Sequence, residues 1–210
     1  MLEHNTEICD FTLKVLRESD PNFEFKKGGY YVEAGAYHWQ AGSNTYALEK
    51  MYGWKGVSLE IVPQYCDDFN QSRSNPCLPE DAAKFDYLNY FKKNNFPKQI
   101  DFLQIDVESN PGFDGRPESS HKDLNLHVLL ALPLTTYRFS IIAIEHMDML
   151  GQYNEELKRT QRYILESLGY SLVVRYPNED FWVDPNVVDY QKYKKYFAWR
   201  TDCFNKDSEL

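Results

Sequence analysis

The chain has 210 residues and a formal net charge of −9, and it is 42% hydrophobic, 26% charged and 16% aromatic. That length suits one large α/β domain with a buried core, and the composition is that of an ordinary globular protein. The acidic balance excludes a general basic footprint for nucleic acid or an anionic membrane, and no apolar run reaches transmembrane length. Met1 to Asp10 do not read as a signal peptide, so a cytoplasmic protein is expected. Cys9, Cys66, Cys77 and Cys203 are scattered without a Cys-x-x-Cys pair, so reduced thiols and no zinc site are expected.

Residues 1–27 read as an N-terminal helix and lead-in. Ile8, Phe11, Leu13, Val15 and Leu16 give an amphipathic helix over 8–18, stopped by Asp20-Pro21. The main domain spans 28–188. Gly28-Gly29 admit a β-prone run, Tyr30-Tyr31-Val32, that ends at Glu33. Ala34-Gly35-Ala36 then turn the chain, and Gly42-Ser43-Asn44 precede a helix from Thr45 to Tyr52 closed by Gly53. Strand, glycine loop and helix together form the first crossover of a parallel sheet, where such sheets bind cofactors. Glu33 narrows the ligand. A carboxylate there repels a pyrophosphate held at a helix N-terminus. It suits hydroxyls together with an ammonium or sulfonium, as in S-adenosyl-L-methionine.

Trp54 to Glu60 reads as the second strand, and Pro63 starts a helix through about Asn70. Residues 71–80 are loop-like, with room for one short strand, and Tyr87 to Asn94 is helical. Ile100 to Asp106 is a buried strand ending in Asp106-Val107-Glu108. Residues 109–121 are rich in Ser, Pro, Gly and charge. They form either a functional loop over the acceptor or a disordered excursion. Leu124 to Leu132 is a helix. Phe139 to Glu145 is a buried strand followed by His146. Glu155 to Leu168 is a helix with Leu157, Ile164, Leu165 and Leu168 inward, closed by Gly169. Tyr170 to Tyr176 and Phe181 to Val183 are joined by Pro177-Asn178-Glu179-Asp180, which makes them an antiparallel hairpin. Residues 189–210 read as a peripheral segment with a polar tail.

Four strands thus end in acids: Glu33, Glu60, Asp106 and Glu145. The carboxyl ends of parallel strands share one rim, and ligands bind there. Any one acid at a strand end is unremarkable; four beside a glycine loop point to a site. Glu60 stands 27 residues after Glu33, where a carboxylate receives ribose hydroxyls. Gly35-x6-Gly42 is not Gly-x-Gly-x-x-Gly and no Walker sequence occurs, which weighs against dinucleotide and NTP readings. Asp106 and Glu108 share a strand face and reach one cation or one hydroxyl. Spacing supplies no third ligand, so no metal is assigned. His146, next to Glu145 and near Asp148, is the histidine at a rim position and has the right pKa for proton abstraction. His4, His38, His121 and His127 lie in the terminus, the glycine loop, the long loop and a helix.

Several runs resemble the FkbM family of S-adenosylmethionine-dependent methyltransferases. They are Val-Glu-Ala-Gly-Ala followed by Gly-Ser-Asn-Thr-Tyr-x-Leu-Glu (32 to 49), Gly-Trp-Lys-Gly-Val-Ser-Leu-Glu (53 to 60), Ile-Asp-Phe-Leu-Gln-Ile-Asp-Val-Glu (100 to 108), Ile-Ala-Ile-Glu-His (142 to 146) and the segment 168 to 185. The resemblance implies a seven-stranded, Rossmann-like sheet with one antiparallel strand in a C-terminal hairpin, and O-methylation, often of sugar hydroxyls. It implies that Glu33, Gly35, Ala36, Ser43 and Asn44 bind the methionine part, Glu60 and Ile61 the ribose side, and Asp81 and Ala82 the adenine. Asp106, Val107 and Glu108 would face the transferred methyl. Two departures stand out: Glu33 where the family commonly has Asp, and Ser109-Asn110-Pro111 where Gly-x-Glu is usual.

The expectation is therefore methyl transfer from S-adenosylmethionine to a hydroxyl of a sugar or glycan, without a metal, in a monomer or homodimer. His146 would be the general base, oriented by Glu145 or Asp148, and Asp106 would position the acceptor. Tyr37, Trp39 and the loop 109–121 would shape the acceptor pocket. The alternatives are a small-metabolite or lipid-linked acceptor, a non-catalytic cofactor-binding module, and an NAD-dependent oxidoreductase.

Overall fold

The computed structural model describes residues 26–108, 123–146, 153–175 and 179–189. The expected helix at 8–18, the loop 109–121, Asp148 and the tail from 190 lie outside these residues.

In chain order the elements are β1 (Tyr30–Ala34), α1 (Tyr46–Tyr52), β2 (Lys55–Leu59), α2 (Pro63–Ser72), β3 (Cys77–Leu78) and α3 (Tyr87–Lys93). Then come β4 (Gln99–Ile105), α4 (Leu124–Ala131), β5 (Arg138–Glu145), α5 (Tyr153–Ser167), β6 (Ser171–Arg175) and β7 (Glu179–Val183). The strands form one sheet in the order β3-β2-β1-β4-β5-β7-β6. β7 runs antiparallel to both neighbours, and the other pairings are parallel. This is the expected sheet with one antiparallel strand. The strand order reverses between β1 and β4, so the crevice there is where an open α/β sheet binds its ligand.

β4 and β5 are buried along nearly their whole length because both faces are covered. On one face Val32, Val57, Leu103, Ile105, Ile142, Ile144 and Trp182 pack with Phe91 of α3, Val128 and Leu129 of α4 and Leu165 of α5. On the other, Tyr31, Phe102, Ile141, Ala143, Phe181 and Val183 pack with Leu48 of α1 and Trp54. Side chains alternate faces along a strand, so these two sets fix which rim residues share a side. The helices begin and end as local chemistry dictates. Pro63 occupies the first turn of α2, and Asp86 caps α3 by accepting from the Asn89 N–H at 3.1 Å.

Two expectations are corrected and a third is met. The second hairpin strand begins at Glu179 rather than Phe181. Glu179 and Asp180 are poor strand formers, yet they pair with Glu145 and Ile144 and are buried at 3% and 1% exposure among polar partners. Tertiary pairing overrides propensity here. The short strand within 71–80 is Cys77–Leu78, parallel to β2. Cys66 and Cys77 are not free thiols. They are joined in a disulfide that ties α2 to β3, because the helix returns the chain with the two Cα atoms 5.1 Å apart. Among the described residues no helix is long and apolar enough to cross a membrane.

Candidate functional site

The crevice is built from the ends of β1, β2 and β4. Gly35 leaves β1 with φ +90°, and a Cβ there would lie 1.8 Å from the Asp106 carbonyl oxygen. Only glycine fits both the conformation and the contact. Its N–H and that of Ala36 donate to Leu59 O at 2.9 and 3.1 Å, which ties the loop to β2. Tyr37 follows with φ 48° and its N–H donates to Glu60 Oε2 at 2.9 Å; the Val62 N–H donates to Glu60 Oε1 at the same distance. Glu60 thus joins the first two crossover loops, and each oxygen keeps a further lone pair for a ligand hydroxyl.

Tyr37 is 62% exposed and its ring meets Tyr65 edge-on at 5.0 Å. Trp39 is half-buried on Ala36, Phe69 and the Cys66–Cys77 disulfide. The His38 Nδ1 accepts from the Gln40 and Ala41 N–H groups, so it closes a local turn.

Glu33 does not face the open crevice. It shares the Tyr31 face with Asp106 and Glu145 but is covered by its neighbours: it is 2% exposed and accepts from Thr45 Oγ1 at 2.9 Å, Ser58 Oγ at 2.6 Å and Ser43 Oγ at 3.5 Å. Burial raises its pKa, opposed by nearby Arg73 and the three hydroxyls. Glu33 thus stands behind Ser43 and Thr45. Arg73 was not singled out in the sequence, because nothing in a loop of Ser, Arg and Asn marks a buried guanidinium. Its side chain is fully buried against Glu49, with Nε 2.8 Å from Oε2. Asn44, the next loop residue, is 5% exposed, and its Oδ1 has no protein partner. A buried unsatisfied acceptor between a glycine turn and a helix start fits a ligand that brings a donor, such as an ammonium.

On the far wall, Asp81 Oδ1 accepts from the Ala83 N–H at 3.1 Å and Oδ2 pairs with Lys84 at 2.8 Å. Ala82 O accepts from Tyr87 Oη at 2.9 Å. Ile61 is half-buried beside Glu60. The Glu60 N–H donates to Leu78 O, so β3 sets how these two segments approach each other.

Asp106, at the tip of β4, is exposed, as is Glu108, and the Val107 N–H between them donates to Asn125 Oδ1 at 2.7 Å. Asn125, reaching back from α4, also escaped the sequence reading. Glu145 stands on the same sheet face as Asp106, one strand over. Burial, the charge of Asp106 and its hydrogen bond, then Glu179 and Glu108, push Glu145 up to about 9. Glu145 therefore holds a proton at neutral pH. Gln104 lies behind, with Nε2 on Glu179 Oε1 at 3.2 Å. Among the described residues no group of three or more His, Cys, Asp or Glu side chains is placed to hold a metal ion.

His146 follows Glu145 and so points to the opposite face. It is 0% exposed, with Nε2 3.7 Å from Asp180 Oδ1. Asp180 accepts from Arg162 Nε and Nη2 at 2.6 and 2.8 Å. His146 thus sits under α5 in a buried charge cluster, away from the Asp106–Glu145 side. The expectation that Glu145 orients His146 as a base fails on strand parity.

No family model and no curated protein matches the chain. Solved structures do. Cofactor-bound Rv0187 from MTB superposes with a TM-score of 0.54 at 12% identity, covering 88% of this chain and 80% of its own. A human methyltransferase 10 domain containing protein gives 0.52 at 12% identity, covering 85% and 80%. A methyltransferase of Podospora anserina, PaMTH1, with S-adenosylhomocysteine bound, gives 0.50 at 10% identity, covering 85% and 86%. At such identities the likeness is one of fold, and the fold of this chain is that of the Rossmann-like methyltransferases.

Proposed function

We propose that the chain is an S-adenosylmethionine-dependent O-methyltransferase of FkbM type, acting on a hydroxyl of a sugar or glycan. The observation that carries this reading is the crevice itself. A glycine turn, a doubly tied Glu60 and the Asp106–Glu145 pair converge at the switch point of a methyltransferase sheet. The cofactor, when bound, supplies a methyl group on a sulfonium with a good leaving group.

Gly35, Ala36 and Asn44 would border its methionine end. Glu60 and Ile61 would receive the ribose, Asp81 and Ala82 the adenine, and Val107 would close the wall beside them. The protein's part in the transfer is to align the acceptor oxygen and exclude water. Tyr37 offers an exposed ring to a sugar face, and Trp39 lies half-buried two residues further along the same loop. Asp106 accepts the hydroxyl proton, and Glu108 lies on the same acceptor side. Glu145 keeps its own proton and holds Asp106 by a hydrogen bond. A hydroxyl that has gained a methyl group is strongly acidic until it loses its proton, so a carboxylate of ordinary basicity suffices.

This assigns proton acceptance to Asp106 and leaves His146 a packing role. A pair that retains a proton is a poor cation ligand, so the reaction would need no divalent metal. The acidic rim favours neutral hydroxyl-bearing acceptors over a phosphate backbone, which argues against a nucleic-acid partner. The reading places the enzyme in the cytoplasm as a monomer or homodimer, with Cys66 and Cys77 shielded by burial at 1% and 2% exposure.

Calorimetry against S-adenosylhomocysteine and NAD tests the cofactor. Labelled S-adenosylmethionine, screened with monosaccharides and glycans with and without EDTA, tests the acceptor and the metal. Tight NAD binding with no S-adenosylhomocysteine binding would overturn the reading.

A further inference from the structure

Arg73 caps the C-terminus of α2 with a side chain that has no solvent exposure. A guanidinium carries five N–H donors, and each has an acceptor here. Nε donates to Glu49 Oε2 at 2.8 Å. Nη1 donates to Ser43 Oγ at 3.1 Å and Trp39 O at 3.4 Å. Nη2 donates to Tyr31 Oη and Thr45 Oγ1, both at 3.1 Å. The Phe69 ring lies 4.3 Å from Cζ. Three of the five acceptors belong to residues 39–45.

A buried ion pair is a weak source of stability, because desolvation offsets much of the attraction. Fixed geometry is what such a network supplies. Thr45 Oγ1 donates to Glu33 Oε2 at 2.9 Å, and Ser43 Oγ lies 3.3 Å from Thr45 Oγ1 and 3.5 Å from Glu33 Oε1. Both oxygens accept from Arg73, and Ser43 Oγ accepts from the Thr45 and Tyr46 N–H groups as well. Both side chains are therefore held by partners within the protein. Asn44, between them, keeps a buried acceptor without a partner.

We propose that Arg73 is the positioning residue of the cofactor loop. Acting through Trp39, Ser43 and Thr45, it sets the methionine end of the site without touching the cofactor, and it leaves Asn44 as the side chain that meets the ligand's ammonium. This rests on the S-adenosylmethionine reading. It also divides the site: Arg73 governs the loop after β1, whereas the ribose and adenine side hangs on Glu60 and the segment after β3.

The test is calorimetry on the full chain with S-adenosylhomocysteine and, separately, adenosine, which lacks the methionine part. In R73A and R73K, S-adenosylhomocysteine affinity is expected to fall about 10- to 100-fold, the effect of losing a charge-assisted hydrogen bond. Adenosine affinity is expected to stay within about threefold. Millimolar guanidinium should restore R73A where equal sodium chloride does not. N44A should weaken S-adenosylhomocysteine without moving the melting temperature. R73K retains the charge and decides the case if R73A does not fold. Unchanged S-adenosylhomocysteine affinity in a folded Arg73 variant, or equal loss of both ligands, overturns the proposal. A wild-type chain that binds neither ligand overturns the cofactor reading and this inference with it.

Discussion

Gly35 and Asp106 touch where β1 and β4 diverge: a Cβ on residue 35 would sit 1.8 Å from the Asp106 carbonyl oxygen and 2.7 Å from its carbon. Backbone on both sides leaves nothing flexible to yield. Gly35→Ala also places a side chain at φ +90°, where only glycine is comfortable. The expected loss is about 2–4 kcal/mol in urea unfolding, with weakened S-adenosylhomocysteine binding. A variant with the wild-type midpoint would show that the crevice tolerates opening.

Glu145 gives a pH dependence with a definite sign. Its folded pKa, near 9, lies above the ordinary 4.5 because it is buried beside Asp106, Glu179 and Glu108. Between those values the native state holds a proton that the unfolded chain has released, so stability falls as pH rises. Glu145→Gln removes that proton-linked penalty and keeps the shape. The variant should gain on wild type from about pH 4.5 upward, by at least about 1 kcal/mol, and level off above pH 9. Urea melts across this range check it, and a gain that shrinks with rising pH would contradict the assignment.

The buried cluster of His146, Asp180 and Arg162 is expected to act on stability alone. Burial raises the Asp180 pKa, but Arg162 and His146 outweigh it and hold the carboxyl below the usual range. Asp180→Asn should cost about 3–5 kcal/mol by leaving charge unpaired, and His146→Ala about 1–3 kcal/mol. S-adenosylhomocysteine affinity should stay within about threefold in both. Loss of turnover in His146→Ala at unchanged stability would restore His146 as the base.

The Cys66–Cys77 disulfide closes a short loop, with a sequence separation of 11. Reduction should lower unfolding free energy by about 2–3 kcal/mol, and a Cys66→Ser, Cys77→Ser double variant should match the reduced protein. Thiol titration of the unfolded, non-reduced chain should find two of the four cysteines. Four reactive thiols would rule the disulfide out.

The order of strands and helices was legible in the chain, because continuous apolar runs and glycine or proline stops are local signals. So were the acids at the strand ends, the crossover glycine and the closing hairpin. Local patterns of this kind already decide which residues reach the carboxyl rim of a parallel sheet. What they leave open is which way each rim side chain turns and what meets it there. Pairing in the sheet draws Glu179 and Asp180 into a strand, and Asp180 there meets His146. Arg73 stands 40 residues from Glu33, and Asn125 stands 18 from Val107; only the folded chain brings each pair into one network. Burial then decides the charges, leaving a proton on Glu145 and an acceptor open on Asn44. Desolvation and pairing between distant segments are properties of the packed molecule, and no run of neighbouring residues encodes them.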